Sequence, residues 1–370
     1  MFAERMARTR ARMADLDVDV LLLSVGPDLP WLTGYTAMAL ERLTMLVLPR
    51  DGDATVVVPR LEAPRVAERS ELFRLHAWDE TDDPVEIVAG LAGGPGTAAI
   101  GDRTWARFLL ELQARLKATS FVKASTVTGP LRARKDAAEI AALRKAAVAA
   151  DRVAGQLQTG EIPLVGRTEA DVSSDIGRRL VDEGHARVNF AIVGAGENAA
   201  SPHHEAGSRV IGAGEVVLCD FGGALLGADG VGYCSDITRC VWTGGQDPPS
   251  EFRDLYIVLR EAQQQAVDAA VVGTPCEEVD AVARRIITDA GYGPQFIHRT
   301  GHGIGIEEHE DPYVVAGNCE PLAPGHAFSI EPGIYVAGRW GARLEDIVVA
   351  ADSGPDPLNQ VDHRLVVVDA

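Results

Sequence analysis

Four carboxylates stand inside otherwise apolar runs of β character: Asp220 in "VLCDFGG", Asp236 in "YCSDITR", Glu331 in "SIEPGIY" and Glu345 in "GARLEDI". Burying a carboxylate in such a run is costly unless it is paired or bound to a cation. Four of them, two in each of two stretches, point to a shared counter-charge, either arginine or a divalent metal. Arg239 and Arg343 stand beside two of the acids and would neutralise part of the set, so structural ion pairing remains an open reading at this point. The segment "RTGHGIGIEEHEDPYV" at 299–314 shifts the balance. Its glycines at 301, 303 and 305 make poor helix, and it lacks the HExxH spacing that puts two histidines on one helical face. An extended, glycine-lined segment would instead bring His302 to a site. One imidazole and four carboxylates form a hard, oxygen-rich donor set that suits Mn²⁺, Co²⁺ or Mg²⁺ and also accepts Zn²⁺. It holds enough ligands for two ions about 3.5–4 Å apart, an arrangement that lowers the pKa of a bridging water and polarises a carbonyl. Amide hydrolysis is a natural use. His203 in "SPHHEAG", His298 and His309 are then candidates for moving a proton or binding the oxyanion.

These residues need a scaffold, and the chain has two textures. Up to about residue 125, short apolar runs ("DVDVLLLS", "LTMLVLP", "ATVVVP", "TAAIGD") alternate with helical spacing in "WARFLLELQARLKA". This reads as an α/β domain over 1–130. A Gly-Pro breaker and a basic cluster in "STVTGPLRARKD" precede a long Ala-rich helix, "AAEIAALRKAAVAADRVAGQLQ", which opens a second domain over 131–370. That region repeats itself. "LRKAAVAADRVAG…VGRTEADVSSDIGRRLVDEG" and "LREAQQQAVDAAVVGTPCEEVDAVARRIITDAG" share a Leu-Arg helix opening, a glycine turn, a capping Thr (168, 274) and a stop at Gly184 or Gly291. Thr274, Pro275 and Glu277 fit N-cap, N1 and N3 of a capping box. Two similar α/β halves, each contributing two of the acids, are expected.

Composition narrows the partners. The formal net charge of −19 argues against nucleic acid or an anionic membrane surface. No apolar run nears the ~20 residues of a membrane span, and the charged N-terminus lacks a secretory apolar region. A soluble, cytoplasmic protein is expected. The five cysteines form no CxxC pair and read as small buried apolar residues.

Taken in order, "VLCDFGG", "YCSDITR", "HRTGHGIGIEEHE", "SIEPGIY" and "GARLEDI" resemble the metallopeptidases of the pita-bread fold (family M24), in the branch of Xaa-Pro dipeptidases and Xaa-Pro aminopeptidases. The resemblance implies an α+β architecture: a C-terminal pita-bread domain with an internal pseudo-twofold repeat, after a smaller creatinase-N-like α/β domain. It implies Asp220, Asp236, His302, Glu331 and Glu345 as ligands of two divalent ions, Mn²⁺ foremost, with Co²⁺ or Zn²⁺ as substitutes. A bridging hydroxide would attack the Xaa-Pro carbonyl, with Glu331 assisting proton transfer. His203, His298 and His309 would serve catalysis, and Arg299, Tyr335 and Arg343 substrate binding. The family also implies a homodimer or dimer of dimers. One departure is the spacing of Asp220 and Asp236, which is wider than usual; the extra residues in "ALLGADGVG" read as a longer hairpin turn with Asp229 facing solvent.

Dipeptidase and aminopeptidase need the same metals and differ in whether the site receives a free carboxylate after proline. Arg299, where short bacterial prolidases resemble one another in carrying Arg, favours the dipeptide through a charge-assisted contact. The plain alternative pairs Arg299 with Glu307 or Glu310. Two other functions share the motifs: a metal-free peptide-binding or scaffold protein on the same fold, and a two-metal hydrolase of another amide or an organophosphate ester.

Overall fold

The computed structural model describes residues 1–67 and 69–369. Contacts divide the chain into two compact units, Met1–Arg132 with Asp229–Val231, and Ala133–Ala228 with Gly232–Ala370. Among the described residues no helix is long and apolar enough to cross a membrane.

The first unit is built on six strands: β1 (Val20–Leu23), β2 (Met45–Pro49), β3 (Thr55–Pro59), β4 (Arg74–Trp78), β5 (Thr97–Ile100) and β6 (Ser120–Lys123). They lie in the order β4-β3-β2-β1-β5-β6. β1, β2 and β3 pair antiparallel, and the outer pairings β3–β4, β1–β5 and β5–β6 are parallel. Val20, Leu22, Met45, Val47 and Val57 bury one face against Val85, Val88, Phe108 and Leu112 of the helices Pro84–Ala92 and Ala106–Arg115. The four apolar runs in the sequence became β1, β2, β3 and β5. β4 and β6 escaped the pattern because their side chains are mostly exposed or half-buried. Asp229 belongs to this unit's cluster, and it does not face solvent. Its side chain is 4% exposed, with Oδ2 3.6 Å from Nη1 of the buried Arg5.

The second unit opens with α6 (Ala137–Gln158), the long Ala-rich helix, following α1 to α5 of the first (Phe2–Asp15, Asp28–Thr33, Pro84–Ala92, Ala106–Arg115, Ser125–Ala133). Asp136 and Glu139 close a capping box at its start, satisfying two otherwise orphaned donors. α7 (Glu169–Asp182), β7 (Arg187–Ala195), β8 (Val216–Leu226), β9 (Gly232–Cys234) and β10 (Ile237–Thr243) complete the first half. The second half holds α8 (Ser250–Ala269), α9 (Cys276–Asp289), β11 (Gly301–Gly303), β12 (Glu310–Val314), β13 (Ala327–Ile330), β14 (Gly333–Val336), β15 (Trp340–Arg343), β16 (Asp346–Ala351) and β17 (Gly354–Pro357). β18 (Val366–Val368) returns to pair with β10. One sheet runs β18-β10-β8-β7, with β9 on β8; the other runs β12-β11-β13-β16-β17; β14 and β15 form a separate ribbon.

Period-two alternation then decides where the acids point. On β8, Val217, Cys219 and Phe221 pack with α6 and α7, whereas Val216 and Leu218 join the core of the second half. Asp220 shares the parity of Val216 and Leu218, so it faces the second half. The other three acids are not inside continuous strands, as the sequence suggested. Asp236 sits between β9 and β10, Glu331 between β13 and β14, and Glu345 between β15 and β16. Each lies where the chain leaves one strand for another, freeing the carboxylate from the alternation of a ladder.

The capping expectation holds for Thr168, whose hydroxyl accepts from the Asp171 amide at 3.1 Å. It fails for Thr274. Helix α9 starts one residue later, after Pro275, and the amides of Cys276 and Glu277 donate to the carbonyls of Glu320 and Asn318. Glu277 turns to the Gly317 amide instead. With the orphan donors already satisfied by that neighbouring segment, no side-chain cap is needed. Thr168→Ala is therefore expected to destabilise the protein by about 1 kcal/mol in denaturant unfolding, and Thr274→Ala to incur no capping loss.

Candidate metal centre and substrate cavity

His302 reaches the site on β11, and its flanking glycines serve packing. A Cβ on Gly301 would lie 1.8 Å from the Ser329 carbonyl oxygen, one on Gly303 2.2 Å from that of Asp311, and one on Gly305 2.4 Å from Glu310 Oε1. No side chain fits in these gaps, so the segment passes between β12 and β13 at backbone contact distance. The His302 amide donates to Ser329 Oγ at 3.0 Å. Its Nδ1 lies 3.1 Å from the Gly303 carbonyl, which can only accept. Nδ1 therefore carries the proton, and Nε2 presents a lone pair. That lone pair lies 3.2 Å from Glu331 Oε1 and 3.8 Å from Asp236 Oδ2.

All five ligand-type residues meet here. One donor atom each from Asp236, His302 and Glu345 lies within 4.8 Å of the others. Thr238, paired across the β8–β10 ladder with Asp220, also bridges to Glu345 and donates its hydroxyl to Glu345 Oε2 at 2.7 Å. Arg343 bonds Asp220 Oδ2 and donates to Thr238 Oγ1 at 3.1 Å; its Nε is 4.0 Å from Glu331 Oε2. Arg239 is spent elsewhere. Its guanidinium binds Asp346 Oδ1 at 2.7 Å and four backbone carbonyls. So one guanidinium serves the four acids.

The electrostatics show the shortfall. Burial raises the pKa of Asp220 despite Arg343. Burial, then the charges of neighbouring carboxylates, pushes Asp236 and Glu345 well above the usual range. Burial also works against ionised Glu331, yet a protonated His302 as hydrogen-bond partner, with His298 and Arg343, holds it down at about 2, a role a bound cation would take over once Nε2 carries no proton. Asp220 Oδ1, Asp236 Oδ1 and Glu345 Oε1 are buried and have no hydrogen-bond partner. Buried carboxylate oxygens are rarely left without a partner. Three such carboxylates lining one cavity with His302, two of them clustered with its imidazole, fit a cation, and the His302 Nδ1–H on a backbone carbonyl is the usual brace of a metal-bound histidine.

The acids open into a cavity of about 780 Å³, lined also by His203, His298, Arg299, His309 and Arg343 and by apolar Phe190, Ile192, Pro202 and Ile297. The His309 ring stands 4.1 Å from that of His302, centroid to centroid. His298 is differently placed. Its Nδ1 donates to the Arg299 carbonyl at 2.7 Å, so Nε2 accepts from the Tyr335 hydroxyl at 2.9 Å. That hydroxyl accepts in turn from Arg343 at 2.7 Å. Tyr335 is not among the lining residues and acts on the cavity through His298 and Arg343. Arg299 does not pair with Glu307 or Glu310. Glu310 is held by buried Lys135 at 2.6 Å, and the Arg299 guanidinium carbon lies 4.4 Å from the Tyr313 ring centroid.

Several supporting residues carry no signal in the sequence. On α9, buried Asp280 accepts from the Thr300 amide and hydroxyl and from Arg284, which reaches the His298 carbonyl. Buried Glu169 holds Asn198 and His204 beside His203. Thr300 lies 20 positions from Asp280, and Asn198 and His204 lie 29 and 35 positions from Glu169.

Residues 141–352 match metallopeptidase family M24, and residues 5–134 match the creatinase/prolidase N-terminal domain. This chain belongs to metallopeptidase family M24. The M24 metallopeptidase is 44% identical to a probable dipeptidase PepE of Mycobacterium tuberculosis, over 100% of this chain and 97% of that one. It superposes on dipeptidase PepE from Mycobacterium ulcerans with a TM-score of 0.92 at 43% identity, covering 100% and 98% of the two chains. The prolidase from Thermococcus sibiricus gives a TM-score of 0.92 at 35% identity, covering 100% and 99%. The expected α+β fold, a creatinase-like α/β domain before a pita-bread domain, holds for this M24 metallopeptidase. Membership implies divalent metal ions, and the buried Asp236–His302–Glu345 cluster suits them. Mn²⁺ is expected to raise the unfolding temperature of chelator-stripped protein by roughly 5 °C. The Asp236→Asn/Glu345→Gln variant, relieved of two like charges, is expected to unfold at a higher temperature than stripped wild type and to lose the response to Mn²⁺.

Proposed function

We propose that the protein is a dinuclear metal-dependent Xaa-Pro dipeptidase. The observation that carries this reading is that Asp220, Asp236 and Glu345, each with a buried oxygen lacking a hydrogen-bond partner, line one peptide-sized cavity with His302, and that Asp236 and Glu345 cluster with its imidazole. Asp220, Asp236, His302, Glu331 and Glu345 would hold the two ions, with Mn²⁺ the metal expected foremost. When bound, the pair supplies an activated water and polarises the scissile carbonyl. The protein's own groups do the rest. Glu331, kept ionised by its neighbours, takes the proton released as the peptide bond is attacked and passes it to the leaving imide nitrogen. His309 and His203 line the cavity and donate to the developing oxyanion. His298 stays neutral and fixed between the Arg299 carbonyl and Tyr335, which orients the loop carrying Arg299.

The preference for dipeptides is supported by Arg299. Its charge faces the cavity with no carboxylate partner among the described residues, which suits the free carboxylate that follows proline in a dipeptide. The names of the relatives, dipeptidase and prolidase, support the same reading. With purified, Mn²⁺-loaded protein, a Xaa-Pro dipeptide is expected to be cleaved faster than the corresponding Xaa-Pro-Yaa tripeptide. Arg299→Ala is expected to lower kcat/KM for the dipeptide about 10- to 100-fold and to spare the tripeptide. Faster tripeptide cleavage by the wild type would make the protein an aminopeptidase; no metal-dependent cleavage of either would sink the peptidase reading.

A further inference from the structure

Arg299 needs an orienting contact that does not consume its charge. An acid beside it would fix the guanidinium and also neutralise it, leaving little attraction for a substrate carboxylate. The fold supplies something else. The Thr300 amide donates to the Val314 carbonyl at 3.1 Å, and Gly301 pairs with Val314 across the β11–β12 ladder. Just outside this ladder the Arg299 side chain reaches back to Tyr313, whose ring centroid is 4.4 Å from the guanidinium carbon. The nearby Glu310 is withdrawn into its ion pair with Lys135. An aromatic face attracts a cation through its quadrupole and carries no net charge, so the guanidinium keeps its full charge and hydrogen-bonding edge.

We propose that Tyr313 is a positioning residue for specificity: its ring holds Arg299 flat at the cavity so that the guanidinium edge receives the free carboxylate of a dipeptide. This rests on the dipeptidase reading above. No hydrogen bond to the Tyr313 hydroxyl is present among the described residues; the ring alone does the work.

The test compares alanyl-proline with alanyl-prolinamide, which differ only in that carboxylate, on the Mn²⁺-loaded enzyme. Calorimetric binding of proline against prolinamide gives a readout free of turnover. Arg299→Ala is expected to abolish the preference for the acid in both measurements. Tyr313→Leu and Tyr313→Met are expected to reduce it about two- to fivefold, through KM rather than kcat, and Tyr313→Phe to restore it. If both non-aromatic variants keep the wild-type preference while Arg299→Ala loses it, Tyr313 has no such role and the dipeptidase reading stands. If Tyr313→Phe loses the preference as fully as Tyr313→Leu, the hydroxyl acts and the ring proposal fails. If Arg299→Ala itself keeps the preference, the dipeptidase reading fails first.

Discussion

Four carboxylates, three of them buried and Glu331 half-buried, share one guanidinium, and the centre of the second unit is organised around that imbalance. Arg343 satisfies Asp220 and approaches Glu331, while Asp236 and Glu345 have only a threonine hydroxyl and each other's repulsion. Leaving such groups uncompensated in a protein interior is unfavourable by several kcal/mol per charge. Divalent cations held by these acids would set an attraction against each of those repulsions. Metal binding in an M24 protein is thus also the completion of its core electrostatics.

The pseudo-symmetric halves explain how one chain assembles so costly a group of side chains. Each half packs two helices on an antiparallel pair of strands, β8 with β10 and β13 with β16, and each pair delivers two acids. Both deliveries meet at the Thr238–Glu345 bridge. The helices then brace the loops. Asp280 of α9 fixes the strand entry to His302, and Glu169 of α7 fixes the segment carrying His203 and His204. In both halves a buried carboxylate is fully hydrogen-bonded, the condition under which such a group is tolerated.

Arg299 stands apart from the rest of the cavity wall. Most charged groups there are committed to one another, whereas Arg299 is held by an aromatic face. A site for a free carboxylate needs a cation kept uncompensated, and keeping one uncompensated requires a neutral support. In the same segment, Glu310 is taken up by its ion pair with Lys135.

Much of this was legible in the sequence because it rests on local chemistry. Carboxylates in apolar runs are conspicuous wherever they fold, and Gly301, Gly303 and Gly305 marked an extended segment rather than a helix. The Ala-rich helix ran to its expected ends because Asp136 and Glu139 cap it locally. Tertiary structure decided the rest, since it depends on partners distant in the chain. Thr274 lost its cap because carbonyls from Asn318 and Glu320 reached the helix first. Asp229 left solvent because Arg5, more than two hundred residues earlier, lies beside it. The glycines around His302 proved to make room for Ser329 and Asp311, and Arg239 and Arg343, alike beside their acids in sequence, were sent to different tasks by strand parity and register. Residue types set which chemistry was available; which atoms were left without partners, and so free to use it, was a matter of packing.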